Sequence, residues 1–189
     1  MSRFKIQSLS LVLISFLFTG CVVAVVAGAA AGMVYDRRSI STIESDARLF
    51  HVIHKAIARD RQFLDSRILV SSFNRIVLLV GQTPNPSVKA AAGAIAQSTP
   101  GANKIYNEIT IGNPIPLTKR SQDSLITGQV RSAMLTRKGL ESGSIRIITE
   151  QGVVYLMGIV TLEQSNLAVD VARRIKGVNK VVKIFQYIH

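Results

Sequence analysis

The amino-acid sequence predicts an α+β fold in which one α-β-β-α-β unit occurs twice. Short apolar runs typical of strands alternate with longer segments whose apolar residues recur at helical spacing. The order of these elements in residues 44–112 repeats in residues 121–189. Matching residues support the repeat, since LVG at 79–81 corresponds to LMG at 156–158 and GANK at 101–104 to GVNK at 177–180. Agreement in both residues and spacing predicts two homologous domains.

The first twenty residues have the pattern of an export signal. A basic start with Arg3 and Lys5 precedes an apolar run that ends in LFTGC at 17–21. Small residues before the single cysteine are typical of a lipoprotein signal, in which the cysteine receives a diacylglycerol thioether and the bond before it is cleaved. Lipidation would also use a thiol that is a liability in an oxidising compartment. We therefore predict a signal peptide over residues 1–20 and a lipid-modified Cys21 as the mature N-terminus.

Two other interpretations of this region remain open. No charged residue falls between Lys5 and Asp36, so the segment is long enough to span a bilayer as an uncleaved helix, and its GAAAG sequence has the GxxxG spacing of helix pairs in lipid. Cleavage near Ala29 would instead release a soluble protein. If Cys21 is lipidated, the next residue is Val22 rather than the aspartate associated with inner-membrane retention. The expected location is then the outer membrane, on its periplasmic face.

Net charge limits the class of partner. The chain carries a formal charge of +12, which favours an anionic partner. Because exported proteins rarely meet nucleic acid, we expect phospholipid headgroups and no nucleic acid. Residues 21–43 are rich in valine, alanine and glycine before they turn polar, and we expect them to be a tether between the lipid anchor and the folded part.

The first domain, over residues 44–112, begins with a predicted helix over 44–60. Acidic Glu44 and Asp46 fall in the first turn of this predicted helix, where they suit the helix dipole. Its apolar stripe consists of Leu49, Ile53, Ala56 and Ile57. The remaining elements are a hairpin with strands over 67–73 and 76–81 around a turn at Asn74 and Arg75, a helix over 87–97 and a strand over 103–111.

The second domain, over residues 121–189, follows a linker over 113–120. The two prolines of the GNPIP sequence make this connection stiff. The elements of the second domain are a helix over 121–137, strands over 144–150 and 153–159 around a Gln151-Gly152 turn, a helix over 162–175 and a strand over 178–188.

Three stretches of the chain resemble a known family. VLLVGQTPN at 77–85, IYNEI at 105–109 and VYLMG at 154–158, together with the tandem repeat and Cys21, are similar to the dual BON-domain lipoproteins of the Gram-negative envelope. The similarity covers nearly all of the chain after the cysteine. It implies a three-stranded mixed sheet packed on two helices in each domain, no enzymatic activity, and a role in envelope integrity at the division site. It also implies that the first helix of the second domain binds anionic phospholipid, chiefly phosphatidylglycerol.

The helix over 121–137 has a second face that suits such a role. Its sheet-facing side is formed by Ile126, Val130, Ala133 and Met134. Leu125 and Leu135 fall on the other side, roughly 15 Å apart at helical rise, a plausible footprint in a headgroup region. Leu125 stands where a family member carries tryptophan, and leucine lacks the indole's preference for the interface. The predicted phospholipid-binding residues are Leu125, Gly128, Gln129, Arg131, Ser132, Leu135 and Lys138.

The equivalent helix of the first domain presents only polar residues outward, which are Arg48, His51, Lys55 and Arg59. The second domain is therefore the one expected to bind the membrane. Alternatively, Leu125 and Leu135 bury against the first domain. The protein would then be an interaction module, in which the same surface or the exposed sheet of the first domain docks onto outer-membrane assembly or division proteins.

Residues with catalytic or metal-binding spacing are not evident in the sequence. His51 and His54 are three apart on one helix, yet no Cys, Asp or Glu completes a ligand set. No nucleophile elbow or phosphate loop is present, so we expect neither enzymatic activity nor a cofactor. Gly81 and Gly158 are expected to serve backbone geometry at a strand end.

Overall fold

The computed structural model describes residues 36–188, which belong to a single folded unit. The predictions for the signal peptide, for the lipidated Cys21 and for most of the tether lie outside the described residues. Within residues 36–188, no helix combines the length and the apolar character needed to cross a bilayer.

The order of elements confirms the predicted α+β class. The first repeat consists of α1 (Ile40–Arg59), β1 (Arg67–Phe73), β2 (Ile76–Thr83), α2 (Pro86–Ser98) and β3 (Lys104–Ile111), with a 3₁₀ turn at Arg61–Phe63. The second repeat consists of α3 (Leu117–Leu135), β4 (Ile145–Glu150), β5 (Val153–Val160), α4 (Leu162–Arg173) and β6 (Lys180–Tyr187), with a 3₁₀ turn at Ser142–Ser144. Each repeat forms a three-stranded mixed sheet in which the central strand pairs antiparallel with the strand before it and parallel with the last strand.

Two helices begin earlier than the sequence predicts. The side chain of Ser39 accepts a hydrogen bond from the amide of Thr42, so α1 starts at Ile40. Glu44 and Asp46 consequently lie beyond the first turn, and the expectation that they act on the helix dipole is wrong. Ala56, placed on the buried stripe, is exposed, whereas the other three predicted stripe residues are buried. In the second repeat α3 begins at Leu117, so the end of the predicted linker is helical.

A buried aspartate holds the hairpin turn in each repeat. Asp46 accepts hydrogen bonds from the amides of Asn74 at 2.7 Å and Arg75 at 2.8 Å. Asp123 accepts from the amides of Gln151 at 2.8 Å and Gly152 at 2.9 Å. These turn residues have positive φ, and their amides need an acceptor that the strand ladder does not supply. Each first helix is thereby fixed to its own hairpin.

Gly81 and Gly158 serve backbone geometry, although they lie within their strands rather than at the ends. A Cβ atom at Gly81 would lie 1.9 Å from the carbonyl oxygen of Arg67, and one at Gly158 would lie 2.6 Å from that of Ser144. Both sites therefore allow a neighbouring backbone to approach more closely than any side chain permits.

The two sheets pack against each other through an apolar layer that we call the seam. Its buried members are Phe73, Ile76, Leu78, Val80, Tyr155, Met157 and Ile184. Alternate residues of the central strands point away from the seam, into one core under α1 and α2 and another under α3 and α4. The layers therefore run helices, sheet, sheet, helices. The expected exposed sheet of the first domain does not exist, because every residue of β2 is buried.

Polar contacts fix the direction in which the sheets meet. At one end Gln82 donates to Glu150 at 2.8 Å, and the amide of Ile115 in the linker donates to Gln82 at 3.1 Å. At the other end Asn74 donates to Gln186. The hairpin turns of the two repeats therefore lie at opposite ends of the packed sheets. The two helix layers are on opposite outer faces of the molecule.

Candidate functional site

The inner face of α3 is built as predicted. Ile126, Val130 and Met134 are buried in the core of the second domain, and Ala133 packs partly against them. The hydroxyl of Thr127 donates to Thr149 on β4 at 2.8 Å. Because Asp123 also holds the β4–β5 turn, the N-terminal half of α3 has a fixed position on the sheet, and its outer face is fixed with it.

All seven predicted lipid-binding residues are exposed. Leu125 keeps 63% and Leu135 keeps 59% of its surface accessible, so neither is buried against the first domain. The space above Gly128 is open, since a Cβ atom there would meet nothing within 4 Å. A shallow depression brings together Leu125, Gly128, Gln129 and Ser132 with Ser121 and Ser124.

Lys138 is placed differently from the prediction. The helix ends at Leu135 with Thr136 as its C-cap, two residues earlier than expected. Lys138 therefore lies in the loop after α3, beyond the end of its outer face. Arg131 is on the helix and exposed, as predicted.

A groove that the sequence did not reveal runs along the N-terminal half of α3. It has a volume of about 680 Å³ and lies between the helix, the β4–β5 turn and the loop from α4 to β6. We call it the α3 groove. Leu125 and Ile126 line it from the helix and Gly152 from the turn, and Lys119 and Lys176 also belong to its lining.

The two lysines give this groove its charge. None of the ion pairs among the described residues involves Lys119 or Lys176. The carboxylate in the wall, Asp123, already accepts two turn amides. The groove thus offers an apolar wall beside two unmatched cations, which suits an amphiphile with an anionic head. Sequence reasoning missed Lys119 because it started the helix at Ser121, and missed Lys176 because it belongs to another element.

The N-terminal end of the described chain lies beside the loop that follows α3. Arg37 donates to Glu141 at 2.8 and 3.0 Å. Arg38 bonds Asp36 and Asp46, and its guanidinium lies 4.1 Å from the centre of the Phe73 ring. Burial acts to raise the pKa of Asp36, but the hydrogen bonds from Arg38 outweigh it and hold that pKa below its usual value. These contacts fix where the folded part begins.

The two histidines noted in the sequence, His51 and His54, both pack against the ring of Phe50. Phe50 lies 5.3 Å from the ring of His51 and 5.4 Å from that of His54. Within residues 36–188, no three side chains of the His, Cys, Asp and Glu types gather closely enough to hold a metal ion.

Comparison with known proteins links the two repeats to one domain type. The sequence pattern of the BON domain family matches residues 45–113 and 122–188. Outer membrane lipoprotein DolP of Haemophilus influenzae is 39% identical over 172 residues, which cover 89% of each chain. The 21 kDa hemolysin of Actinobacillus pleuropneumoniae is 36% identical over 154 residues, covering 81% of this chain and 79% of the relative. An uncharacterized protein of Anaplasma centrale is 29% identical over 146 residues, covering 76% of this chain and 95% of its own.

Proposed function

The chain belongs to the BON-domain family, and on that basis we propose that it is an outer-membrane lipoprotein which binds anionic phospholipid through α3. Cys21 would carry the lipid anchor, on the periplasmic face. Phosphatidylglycerol is the expected ligand, and the consequence of binding is support of envelope integrity. The similarity to an outer membrane lipoprotein over most of both chains supports the location, and the LFTGC sequence supports the anchor.

The observation that carries the proposal is the combination of exposed leucines and unmatched lysines on one rigid face. Burying a leucine side chain contributes roughly 1.5–3 kcal/mol, and Leu125 and Leu135 have somewhat more than half of that surface left to bury. A basic residue near an anionic membrane surface contributes on the order of 1 kcal/mol. These contributions predict weak and reversible binding by the face alone.

The anchor would strengthen this binding by confinement. Fourteen residues lie between Cys21 and Asp36, and an extended chain reaches about 50 Å at most over those fifteen steps. The folded part would therefore stay close to the bilayer, at a high effective concentration of lipid. The contact between Arg37 and Glu141 sets the point at which the chain enters the fold, six residues after Leu135.

The outer face of α1 lacks the pair of exposed leucines that carries this proposal. The prediction that this helix presents only polar residues outward is nevertheless wrong, because Val52 keeps 48% of its surface accessible. The position equivalent to Leu125 is Arg48, and the other predicted outward positions of α1 are polar and exposed. We propose that this domain supports the second one through the seam, since the apolar faces of both sheets close on each other there.

Liposome flotation of the chain lacking residues 1–21 tests lipid binding. Vesicles of phosphatidylcholine alone are compared with vesicles that also contain phosphatidylglycerol. We expect flotation only with the anionic lipid, and its loss in Leu125→Glu. Leu64→Glu is the matched control, because Leu64 is also highly exposed, at 75%, but lies in the first domain, whose helices are on the opposite outer face. Equal flotation with both vesicles, or no effect of Leu125→Glu, would contradict the proposal.

The second candidate function is docking to an envelope protein through the same exposed face, in outer-membrane assembly or in division. Its support is that Leu125 and Leu135 would suit an apolar protein partner equally well. Indifference to anionic lipid in the flotation experiment would favour it. The anchor is tested separately, by labelling with a radioactive fatty acid: we expect label on the native chain and none on Cys21→Ala.

A further inference from the structure

The first domain has a groove at the place equivalent to the α3 groove. It lies between α1, the β1–β2 turn and the loop from α2 to β3, and has a volume of about 380 Å³. We call it the α1 groove. The residues that matter in its wall are Arg48, Leu49, Val52, Arg75 and Gly101. The repeat places Arg48 where the second domain has Leu125, and Arg75 where it has Gly152.

The backbone at Arg75 favours glycine. Its φ is 61°, in the left-handed region, and the equivalent Gly152 has a φ of 73°. The amide of Asn103 donates to the carbonyl of Arg75 at 2.8 Å, as that of Asn179 does to Gly152 at the same distance. The two turns therefore have the same construction, yet only one carries a side chain. The first domain therefore keeps an arginine at a position where glycine would carry less backbone strain.

Neither guanidinium in the α1 groove is neutralised. The side chains of Arg48 and Arg75 form no ion pair or hydrogen bond among residues 36–188. Glu44, one turn before Arg48 on α1, pairs with neither. The acid beneath the turn is Asp46, which is already paired with Arg38 at 2.8 Å and bonded to Ser72 at 3.0 Å.

We propose that the α1 groove is a second anion site, which binds a phosphate group between Arg48 and Arg75. A guanidinium presents its donors in a planar fork that matches two phosphate oxygens, and two such groups in one groove suit a phosphate better than a single carboxylate. Buried Leu49 and half-exposed Val52 form an apolar floor beside the charges. A phosphate ester with an apolar substituent would therefore contact both parts of the groove.

The α1 groove acts independently of the lipid-binding face. The helix layers are on opposite outer faces, and the hairpin turns are at opposite ends of the seam. A flat bilayer that contacts α3 consequently leaves the α1 groove uncovered. The phosphate it takes comes either from a soluble ion or ester or from the headgroup of a lipid outside that contact.

Titration followed by amide NMR shifts tests the site, with the chain lacking residues 1–21. The probes are inorganic phosphate and dihexanoyl phosphatidylglycerol below its micelle concentration, each at constant ionic strength set with chloride. We expect saturable shifts at the amides of Arg75 and Gly101. Shifts with both probes identify the phosphate group itself as the ligand, shifts with the lipid alone identify a headgroup that needs its glyceryl ester part, and shifts with phosphate alone identify a soluble ion.

Variants taken from the second domain give the control. Arg75→Gly and Arg48→Leu each introduce the residue found in the other repeat, so the fold should tolerate both. Each is expected to weaken phosphate binding roughly tenfold, the loss of one charge-assisted contact. Lys55→Gln removes one charge from the same helix away from the groove and is expected to leave binding unchanged. Absence of saturable shifts at these amides, or undiminished binding by Arg75→Gly, would overturn the proposal. Because the α3 groove is observed through other amides, its own failure would be seen separately.

Discussion

Replacement of Asp123 by alanine is expected to lower the free energy of unfolding by about 3 kcal/mol. The carboxylate is 6% exposed and accepts the amides of Gln151 at 2.8 Å and Gly152 at 2.9 Å. A hydrogen bond to a charged group contributes about 1.5–3 kcal/mol. Gln151 is exposed and its amide can bond water instead, whereas Gly152 is buried. We therefore assign each of the two hydrogen bonds about 1.5 kcal/mol, which gives a total loss of about 3 kcal/mol.

Equilibrium unfolding in urea, followed by circular dichroism, measures this loss. Asp123→Asn keeps one acceptor oxygen and should lose about half as much as Asp123→Ala. Asp65→Ala is the control, because Asp65 is exposed and forms no ion pair or side-chain hydrogen bond among the described residues. If Asp123→Ala lost less than about 1 kcal/mol, the turn would not depend on this carboxylate, and the account of how α3 is held would be refuted.

Four further outcomes are expected from the packing and the charges. Gly81→Ala should lose about 4 kcal/mol or more in urea unfolding, because its Cβ atom would lie 1.9 Å from the carbonyl oxygen of Arg67; a loss below about 2 kcal/mol would contradict this. Gly128→Ala should instead gain about 0.5–1 kcal/mol, since the site is helical and open, and a loss would show a hidden contact. Phe73→Ala should lose about 3–5 kcal/mol from the seam, and a loss near zero would mean that the sheets do not pack as described. Burial, with Glu108 and Glu150 adding to it, raises the pKa of Tyr155 to about 12 from 10.0, so stability should be complete below pH 10 and fall between pH 10 and about 12; Tyr155→Phe should lack that part of the decline.

Local patterns predicted the elements well because each element carries its own signal. The hairpins follow from apolar runs of strand length around short turns, and the repeat supported the same order of elements in both domains. The start of α1 was predicted four residues too late, since Ser39 is one of several serines and threonines that could cap this helix. The inner face of α3 was correct because three buried residues recur at helical spacing.

Contacts between distant elements could not be predicted in the same way. Lys176 joins the α3 groove from a loop, and no spacing along the chain indicates that it does. The two buried aspartates could have been found from the sequence, because Asp46 and Asp123 occupy equivalent positions in the two repeats. The prediction did not use this equivalence. Likewise, Val77, Leu78, Leu79 and Val80 are apolar on both faces of one strand, a pattern typical of a strand covered on both sides. That pattern indicated the seam, although it could not identify which surface covers the second face.

The seam has a consequence for how this protein can be dissected. A deletion that leaves one repeat would expose the apolar face of its sheet to water. The exposed residues would be Phe73, Leu78 and Val80 in the first repeat, or Tyr155, Met157 and Ile184 in the second. Such a single repeat would self-associate or misfold. Loss of function after deletion of one repeat would therefore reflect damage to the remaining repeat rather than a role of the deleted one. Point substitutions on the outer surfaces are therefore the sound way to assign separate roles to the two halves.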